Sequence, residues 1–347
     1  MATTQEEVFK KMLDIRNRTD AVIRESIESY QQRAIYDSSY KINYRRILFG
    51  LNNSPEQSFD RLNKAVEARG KTFDSIESAI DFCKGQIKRI EQFEEEKRKA
   101  QIRELNAALP TVEDWIREDK EDTSNSSISY ESYEAKLLMR EIYKKDLEIR
   151  NCLQTEISKL EIAAAGKKGE DAVDYALKWM QASGYCSILK DCLTPYGTVS
   201  ILLKNEEYID EPQEFDHILI GQNGIFLIET KNFSGTITVT NSGDWIQEKN
   251  GISKGIKNPI QQCNRHEALI KSIVGSVPIV SIICLANDGV VIQGRDNCKI
   301  PVVKVELLED FICCTQAPQE LSKNQIVELI QKINRHKVSE RLNFKAL

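Results

Sequence analysis

Histidine is scarce in this sequence of 347 residues, which carries only His217, His266 and His336. A metal site built from several histidines is therefore nearly excluded on supply alone. The nine cysteines are odd in number and irregularly spaced, and no two of them form a Cys-x-x-Cys pair. This pattern argues against a disulfide framework or a zinc ribbon, and it predicts reduced thiols in a cytoplasmic protein. A metal bound here must use carboxylates, which favour Mg²⁺ or Mn²⁺.

The sequence also lacks a long apolar run. The longest one, Val277–Ala286, is interrupted by Ser281 and includes Pro278, whereas about 20 apolar residues are needed to span a bilayer. We therefore expect no transmembrane helix and no association with a membrane. The N-terminal segment Met1–Met12 contains acidic side chains and no apolar stretch, so we expect no signal peptide either.

A strong charge of one sign is absent as well. Residues 1–165 hold 28 Lys and Arg against 31 Asp and Glu, and residues 166–347 hold 20 against 22. Neither half is thus a basic nucleic-acid-binding arm, and any contact with nucleic acid must be local and can require a cation. The first half is the more densely charged, and this change of composition predicts two domains, residues 1–165 and 166–347.

Apolar residues in the first half recur every three or four residues, which predicts long helices. The most regular set forms a heptad seam of Ile76, Ile80, Cys83, Ile87 and Ile90. The polar segment Glu118–Ser129 is predicted to be a loop, followed by a second long helix from about Tyr130 to Ala165. Two interpretations remain open. The half can be a helical bundle that buries its own apolar stripes, or it can assemble the chain into a homo-oligomer through its N-terminal helices.

The second half alternates short β-branched runs with helical patterns. This predicts an α+β domain in which a mixed sheet is flanked by helices. Helices are expected at residues 166–183, 259–274 and 321–336, and strands at residues 185–189, 199–203, 214–220, 224–231, 236–240, 277–285 and 301–306. The Gly and Asn residues at 221–224 favour a tight hairpin between the third and fourth of these strands.

Charged side chains interrupt this apolar hairpin at Asp216, Glu229 and Lys231. Because strand side chains alternate between faces, Glu229 and Lys231 share a face, and Asp216 can converge on them from the neighbouring strand. Two carboxylates and the backbone carbonyl of Thr230 can hold a divalent cation, and Lys231 can orient a water or contact a phosphate. This set is typical of metal-assisted phosphodiester hydrolysis. The alternative is a salt bridge at the edge of a strand.

These residues belong to a longer ordered set, which comprises Gly169-Glu170, Asp216, Glu229-Thr230-Lys231-Asn232, Gly235, Trp245 and Asn258-Pro259-x-x-Gln262. In this order the set resembles the nuclease-related domain (NERD) family, a branch of the PD-(D/E)XK nuclease superfamily, over about residues 166–285. The resemblance implies a restriction-endonuclease-like fold. Phe215 stands where the superfamily motif has proline, a position that varies.

The resemblance also implies roles for single residues. Asp216 and Glu229 would be metal ligands, and Lys231 would be the catalytic lysine. Glu170, expected at the start of its helix, would support the metal or its waters. Gln262 would face the same site from the next helix.

Basic residues cluster between this hairpin and the end of the second expected helix. They are interpreted as phosphate contacts, formed by Lys254, Lys257, Arg265 and His266. The alternatives are an ordinary solvated loop around residues 243–255 and a surface histidine. His217 has the opposite parity from Asp216, so we expect it on the other face of the sheet in a structural role.

We therefore predict a Mg²⁺-dependent nuclease, with Mn²⁺ as a substitute, that hydrolyses phosphodiester bonds of DNA in preference to RNA. By analogy with the family, the setting is bacterial defence against foreign DNA. Two other classes of function stay open. One is a nucleic-acid-binding module that retains a nuclease-like fold, and the other is a scaffold whose helical half is an oligomerisation arm.

Overall fold

The computed structural model of the chain describes residues 4–53, 55–67, 72–124, 130–183, 186–194, 199–200, 208–209, 213–318 and 320–336. These residues form two compact units, which divide between Ala164 and Ala165. Within these ranges, none of the helices combines the length and the hydropathy that a bilayer-spanning segment needs. The cysteines whose side chains are described are all free thiols.

The first unit is a bundle of long helices: α1 (Gln5–Asn53), α2 (Pro55–Glu67), α3 (Ile76–Ser124) and the first part of α4 (Tyr133–Ala182). α1 and α3 run antiparallel, as their ion pairs show: Asp37 with Lys97, Lys41 with Glu94, and Arg45 with Glu91. α1 and α4 run parallel, because Asp20 pairs with Lys145 and, further along both helices, Gln31 bonds to Glu156.

Two apolar clusters fill this bundle, one beside the middle of α1 and one toward its C-terminal end. α1, α3 and α4 enclose the first, which includes Leu105 and Ile149. α1, α2 and α3 enclose the second, which contains the whole heptad seam from Ile76 to Ile90, with Cys83 fully buried. The four isoleucines of the seam are half-buried against helices of the same chain. This packing favours the bundle interpretation of the seam.

Two expectations about these helices are wrong. Residues 118–124 are not a loop but the last turns of α3, which also includes Pro110; residues 125–129 lie outside the described part of the chain. The helix persists because Val112 and Asp119 are buried in the bundle, and packing of this kind overrides local propensity. α4 also continues without a break past residue 165, so Gly169 and Glu170 lie inside a helix rather than at its start.

The second unit is built on two sheets. Its strands are β1 (Cys186–Thr194), β2 (Val199–Ser200), β3 (Tyr208–Ile209), β4 (Gln213–Gly221), β5 (Gly224–Lys231), β6 (Thr236–Val239), β7 (Trp245–Lys249), β8 (Ile252–Ile256), β9 (Ile279–Leu285), β10 (Val291–Gln293) and β11 (Val302–Lys304). The main sheet has the order β1-β4-β5-β9-β11, antiparallel from β1 to β5 and parallel from β5 to β11. The smaller sheet has the order β10-β6-β7-β8, and β2 pairs with β3.

Helices cover both faces of the main sheet. α5 (Ile260–Val274) and α7 (Lys323–Arg335) bury one face, around Ile218, Leu227 and Leu269. The last turns of α4 and the short α6 (Leu308–Cys314) bury the other, around Leu177 and Phe226. This arrangement confirms the predicted α+β class with a mixed sheet between helices. It also means that alternate residues of β4 and β5 point toward α5 or toward α4.

The segment at 243–255 is a β-hairpin and not the solvated loop that was one of the expectations. β7 and β8 pair antiparallel around a tight turn at Asn250-Gly251, where both residues have a positive φ. Trp245 anchors the hairpin, since it is buried in an apolar cluster with residues of β6 and β9. The sequence hides these strands because most of their other side chains are polar and exposed.

Candidate active site

The hairpin of β4 and β5 sets the positions of the acidic residues. Its strands pair from the turn as far as His217 and Ile228. Beyond that point, the backbone amide of Thr230 donates a hydrogen bond of 2.7 Å to Oδ2 of Asp216. The Asp216 carboxylate thus replaces a ladder bond and holds the two strands together at the end of the sheet where Glu229 lies.

Glu229 is the more deeply buried carboxylate, with 3% of its surface exposed. Nζ of Lys231 donates a hydrogen bond to its Oε1. The second oxygen, Oε2, is buried, and no residue in the described part of the chain forms a hydrogen bond with it. Nδ1 of His266 is 3.6 Å from this oxygen, which is too long for a hydrogen bond. A buried carboxylate oxygen without a partner is costly unless another interaction compensates it.

The electrostatics of the site raise the pKa of Glu229 to about 7. Burial is the largest cause, since it penalises the charged carboxylate, and the negative charge of Asp216 comes next. The positive charges of Lys231 and Arg265 lower the pKa without offsetting these two effects. Because the carboxylates repel each other, a cation bound beside them would relieve both the repulsion and the cost of burial.

α5 faces Glu229 with a histidine that belongs to the protein interior. His266 is 4% exposed, and its ring stacks on Phe215 with the ring centroids 4.3 Å apart. Burial, together with the charges of Arg265 and Lys231, lowers the pKa of His266 to about 4, so its imidazole is neutral at pH 7. The expectation of a surface histidine is therefore wrong, and the burial of His266 also argues against a contact with phosphate.

The start of α5 is fixed by Asn258. Its Oδ1 accepts a hydrogen bond of 2.9 Å from a backbone amide of the first helical turn, and its Nδ2 donates to the carbonyl of Gly243, 3.0 Å away. Pro259 follows at the N-cap position, where the helix does not need its missing N–H. The Asn-Pro pair thereby positions the half-buried Gln262, which lies one turn before His266 on the same side of the helix.

α4 approaches the same end of the sheet from the other face. A Cβ on Gly169 would lie 2.9 Å from Cβ of Asn232 and 3.4 Å from side-chain carbons of Thr230 and Ala286, so only glycine permits this contact. Nδ2 of Asn232 also donates a hydrogen bond of 2.7 Å to a backbone carbonyl in the preceding turn of α4. Glu170 follows directly and is half-buried beside this contact.

The basic residues predicted to contact phosphate divide into two groups. Arg265 is half-buried on α5, close enough to Glu229 for its charge to lower the pKa of that carboxyl. Lys254 lies on β8 and Lys257 follows it, and both side chains are exposed. β8 is an edge strand of the smaller sheet, so these lysines can reach a ligand that lies along it.

Three other residues named in the sequence analysis serve the fold. His217 lies on the face opposite Asp216, as expected, where its Nε2 is 3.1 Å from Oδ1 of Asp174 on α4. Gly235 has a φ of 78°, and a Cβ there would lie only 2.2 Å from a backbone oxygen of β7. Trp245 packs in the apolar cluster under the smaller sheet.

The sequence analysis did not predict the contact between His266 and Glu229. The spacing of four residues between Gln262 and His266 did indicate that both lie on the same side of their helix.

The donor set fits a hard divalent cation that keeps part of its water shell. Across the described ranges, no three His, Cys, Asp or Glu side chains are grouped as a metal site. Mg²⁺, however, is commonly held by one or two carboxylates, with waters and substrate phosphate as its other ligands. Oε2 of Glu229 is an available ligand atom. The carbonyl of Thr230 faces Asp216 as well, because the amide and carbonyl of a strand residue point to the same side.

Residues 165–286 match the family model of the nuclease-related domain, NERD. This match confirms the resemblance carried by the ordered residues, and its range includes Glu170, Asp216, Glu229, Lys231 and Gln262. It indicates a nuclease-related function for this segment, and with it binding to nucleic acid. Neither a curated protein nor a solved structure matches the chain.

Proposed function

We propose that the second unit is a Mg²⁺-dependent nuclease that hydrolyses phosphodiester bonds of DNA, and that Mn²⁺ can replace Mg²⁺. The observation that carries this proposal is the buried Oε2 of Glu229, which has no hydrogen-bond partner among the described residues and belongs to a carboxyl whose pKa is raised by the charge of Asp216. The alternative of a strand-edge salt bridge explains Lys231 and Oε1 of Glu229. It does not explain why a second acidic residue is placed where its charge opposes the ionisation of Glu229.

The cation would be held by Asp216, Glu229 and the backbone carbonyl of Thr230, with Glu170 as a supporting carboxylate on α4. When bound, Mg²⁺ lowers the pKa of a water molecule and neutralises the charge that develops on the phosphate. Asp216 is already oriented for this role by the amide of Thr230, so it loses little side-chain freedom when a ligand binds.

Lys231 would act on the phosphate and on the attacking water. Its ammonium group lies at the site through its hydrogen bond to Glu229, and it can donate to a phosphate oxygen as negative charge builds up there. It can also orient the water that attacks. Gln262 would add an amide group from α5, which can both donate and accept a hydrogen bond to hold that water.

The nucleic acid would be held by Arg265, Lys254 and Lys257. Each phosphate neutralised by a basic side chain releases counterions, so binding weakens as salt rises by about 0.9 log unit per contact for each log unit of salt. Replacing Lys254 and Lys257 by glutamine is therefore expected to lower this slope by about 2, to a similar extent on all sequences. A slope that stays unchanged would remove these lysines from the interface. Competition between DNA and RNA of the same sequence tests the preference for DNA.

The helices of the first unit would bring copies of the chain together. Because the heptad seam packs against helices of the same chain, we assign this role to α1, whose exposed Val8, Ile15 and Val22 recur every seven residues. Replacing Ile15 by glutamate is expected to reduce the mass of the particle measured by light scattering. A wild-type protein that is monomeric at all concentrations would contradict this part of the proposal.

The biological setting that we propose is bacterial defence against foreign DNA, by analogy with the family. If it is correct, cells that carry the protein resist phage infection, and the resistance disappears in a variant that lacks the ionisable group at Glu229. Equal plaque counts with and without the wild-type protein would contradict the setting but not the chemistry.

Cleavage assays test the chemistry. Supercoiled, linear and single-stranded DNA and RNA are incubated with Mg²⁺, Mn²⁺ or EDTA, and wild type is compared with Glu229→Gln and Lys231→Ala. Both variants are expected to lose at least about 100-fold in rate, because each removes a group that acts on the reacting atoms. Glu248→Gln, a change at an exposed glutamate on β7, is the matched control and should retain full activity.

The outcome distinguishes the three classes of function. Metal-dependent cutting that both variants abolish would establish the nuclease and its site. Tight binding of DNA without metal and without cutting would point instead to a binding module. A protein that neither cuts nor binds nucleic acid, but assembles through α1, would be a scaffold.

A further inference from the structure

His266 packs against β4, the strand that carries Asp216, and its ring lies close to Glu229 on β5. Its ring centroid is 4.3 Å from that of Phe215, with 34° between the ring planes. Phe215 is fully buried and directly precedes Asp216 on β4. Nδ1 of His266 is 3.6 Å from Oε2 of Glu229, the carboxylate oxygen for which the described residues supply no hydrogen bond.

The ring nitrogen that faces Glu229 decides what His266 can do for this carboxylate. A neutral imidazole carries one N–H donor and one lone pair. A lone pair on Nδ1 would face the lone pairs of Oε2, whereas an N–H there supplies the donor that this buried oxygen lacks among the described residues.

We propose that His266 is a positioning residue of this site, whose Nδ1–H holds the Glu229 carboxylate in the orientation that presents it to the cation. The inference rests on the proposed function for the cation and on the geometry alone for the contact between the two side chains. A small rotation of either side chain brings the two atoms from 3.6 Å to hydrogen-bond distance. Outer partners of this kind typically change metal affinity or activity by about 10–100-fold.

Two variants of nearly equal size test the role of the N–H group. His266→Asn places an amide N–H close to the position of Nδ1, whereas His266→Leu keeps the bulk against Phe215 and removes the donor. Mn²⁺ affinity of the full chain, measured by isothermal titration calorimetry, is expected to fall about 10–100-fold in the leucine variant. The asparagine variant should recover most of this loss.

Kinetics separate positioning from a merely structural role. The leucine variant is expected to lower kcat for DNA cleavage while KM for DNA stays near the wild-type value, since His266 does not touch the nucleic acid. Equal losses in the asparagine and leucine variants would show that only the shape of the side chain matters and would overturn the proposal. Wild-type Mn²⁺ affinity in the leucine variant would overturn it as well.

A spectroscopic measurement tests the contact without any metal. The chain has three histidines, so the ring ¹⁵N resonances of His266 can be assigned by their loss in the asparagine variant. We expect a neutral ring protonated on Nδ1, and an Nδ1 resonance that moves when Glu229 is replaced by glutamine. A ring protonated on Nε2 alone, or an Nδ1 resonance that ignores the change at Glu229, would overturn the proposal.

These measurements also separate this inference from the proposed function. A protein that binds Mn²⁺ but cleaves no nucleic acid would contradict the nuclease, and a weaker Mn²⁺ affinity in the leucine variant would still support the role of His266. If wild type binds no Mn²⁺, the cation is ruled out, and the ¹⁵N measurement alone then decides for or against the contact with Glu229.

Discussion

Replacing Gly169 by alanine is expected to force α4 away from the end of β5. The added Cβ would lie 2.9 Å from Cβ of Asn232, whereas carbon atoms pack best at about 3.5–4.0 Å. Cβ of Asn232 is attached directly to the backbone, so no rotation of a side chain can remove the clash. Either the helix or the strand has to move, and Glu170 moves with the helix.

Two opposing effects set the magnitude. Alanine is better than glycine in a helix interior by about 1 kcal/mol, which favours the variant. Overpacking a close contact costs about 1–3 kcal/mol, which opposes it. Gly166 offers a matched control, because it lies in the same helix and a Cβ there would meet no heavy atom of the described residues within 4 Å, apart from its own helix backbone and chain neighbours. Gly166→Ala should therefore be stabilised by about 1 kcal/mol, and Gly169→Ala should be less stable than this control by about 1–3 kcal/mol.

Urea unfolding of the two variants, followed by circular dichroism, measures this difference at identical composition. Cleavage by Gly169→Ala should also be slower than by Gly166→Ala, since only the former displaces Glu170. If the two variants are equally stable, then α4 does not pack against Asn232 as closely as described, and the reasoning fails.

Three further changes test other parts of the structure. Burial and a neighbouring aspartate raise the pKa of Asp146 to about 7, so the folded protein keeps a proton above pH 4 that the unfolded chain has lost. The free energy of unfolding should therefore fall as the pH rises from 4 to 7. The melting temperature of Asp146→Asn should not show this decrease, and a decrease as large as that of the wild type would contradict the reasoning. Asn223 donates hydrogen bonds of 2.6 and 3.0 Å to two carbonyls at the end of α6, so Asn223→Ala should cost about 1–3 kcal/mol in urea unfolding, while the exposed Gln222→Ala should cost little. Gly235→Ala should destabilise the protein more than Gly243→Ala. Both glycines have a positive φ, but of these two only Gly235 has a backbone oxygen where the new Cβ would lie. Equal losses of melting temperature in the two variants would refute that contact.

The strands of the candidate site could be predicted because their sequence signals are local. β4 and β5 combine alternating faces with a turn that requires Gly and Asn, and both signals agree with the hairpin that forms. The parity of Asp216 and His217 then assigns each side chain to one face of the sheet. No tertiary information is needed for this step.

The parts that were predicted wrongly depend on contacts between distant residues. The end of α3 has a loop-like composition, yet the burial of Asp119 in the bundle keeps it helical. His266 has polar neighbours in the sequence, but Phe215, 51 residues earlier, supplies the surface on which it is buried. The sequence of the β7–β8 hairpin shows little alternation of apolar and polar residues, because Trp245 provides most of the apolar contact between the hairpin and the rest of the unit. Each of these depends on a partner that the local pattern does not contain.

The continuity of α4 has a practical consequence for expressing the second unit alone. A fragment that begins at Ala165 would start the helix four residues before Gly169, and its first four amides would have no helical partners. That turn would fray and loosen Glu170. A fragment that begins at Glu161 adds one full turn, and residues 161–163 are already exposed, so no apolar surface is uncovered. We therefore expect the fragment that begins at Glu161 to keep Glu170 in place, and the fragment that begins at Ala165 to lose that order.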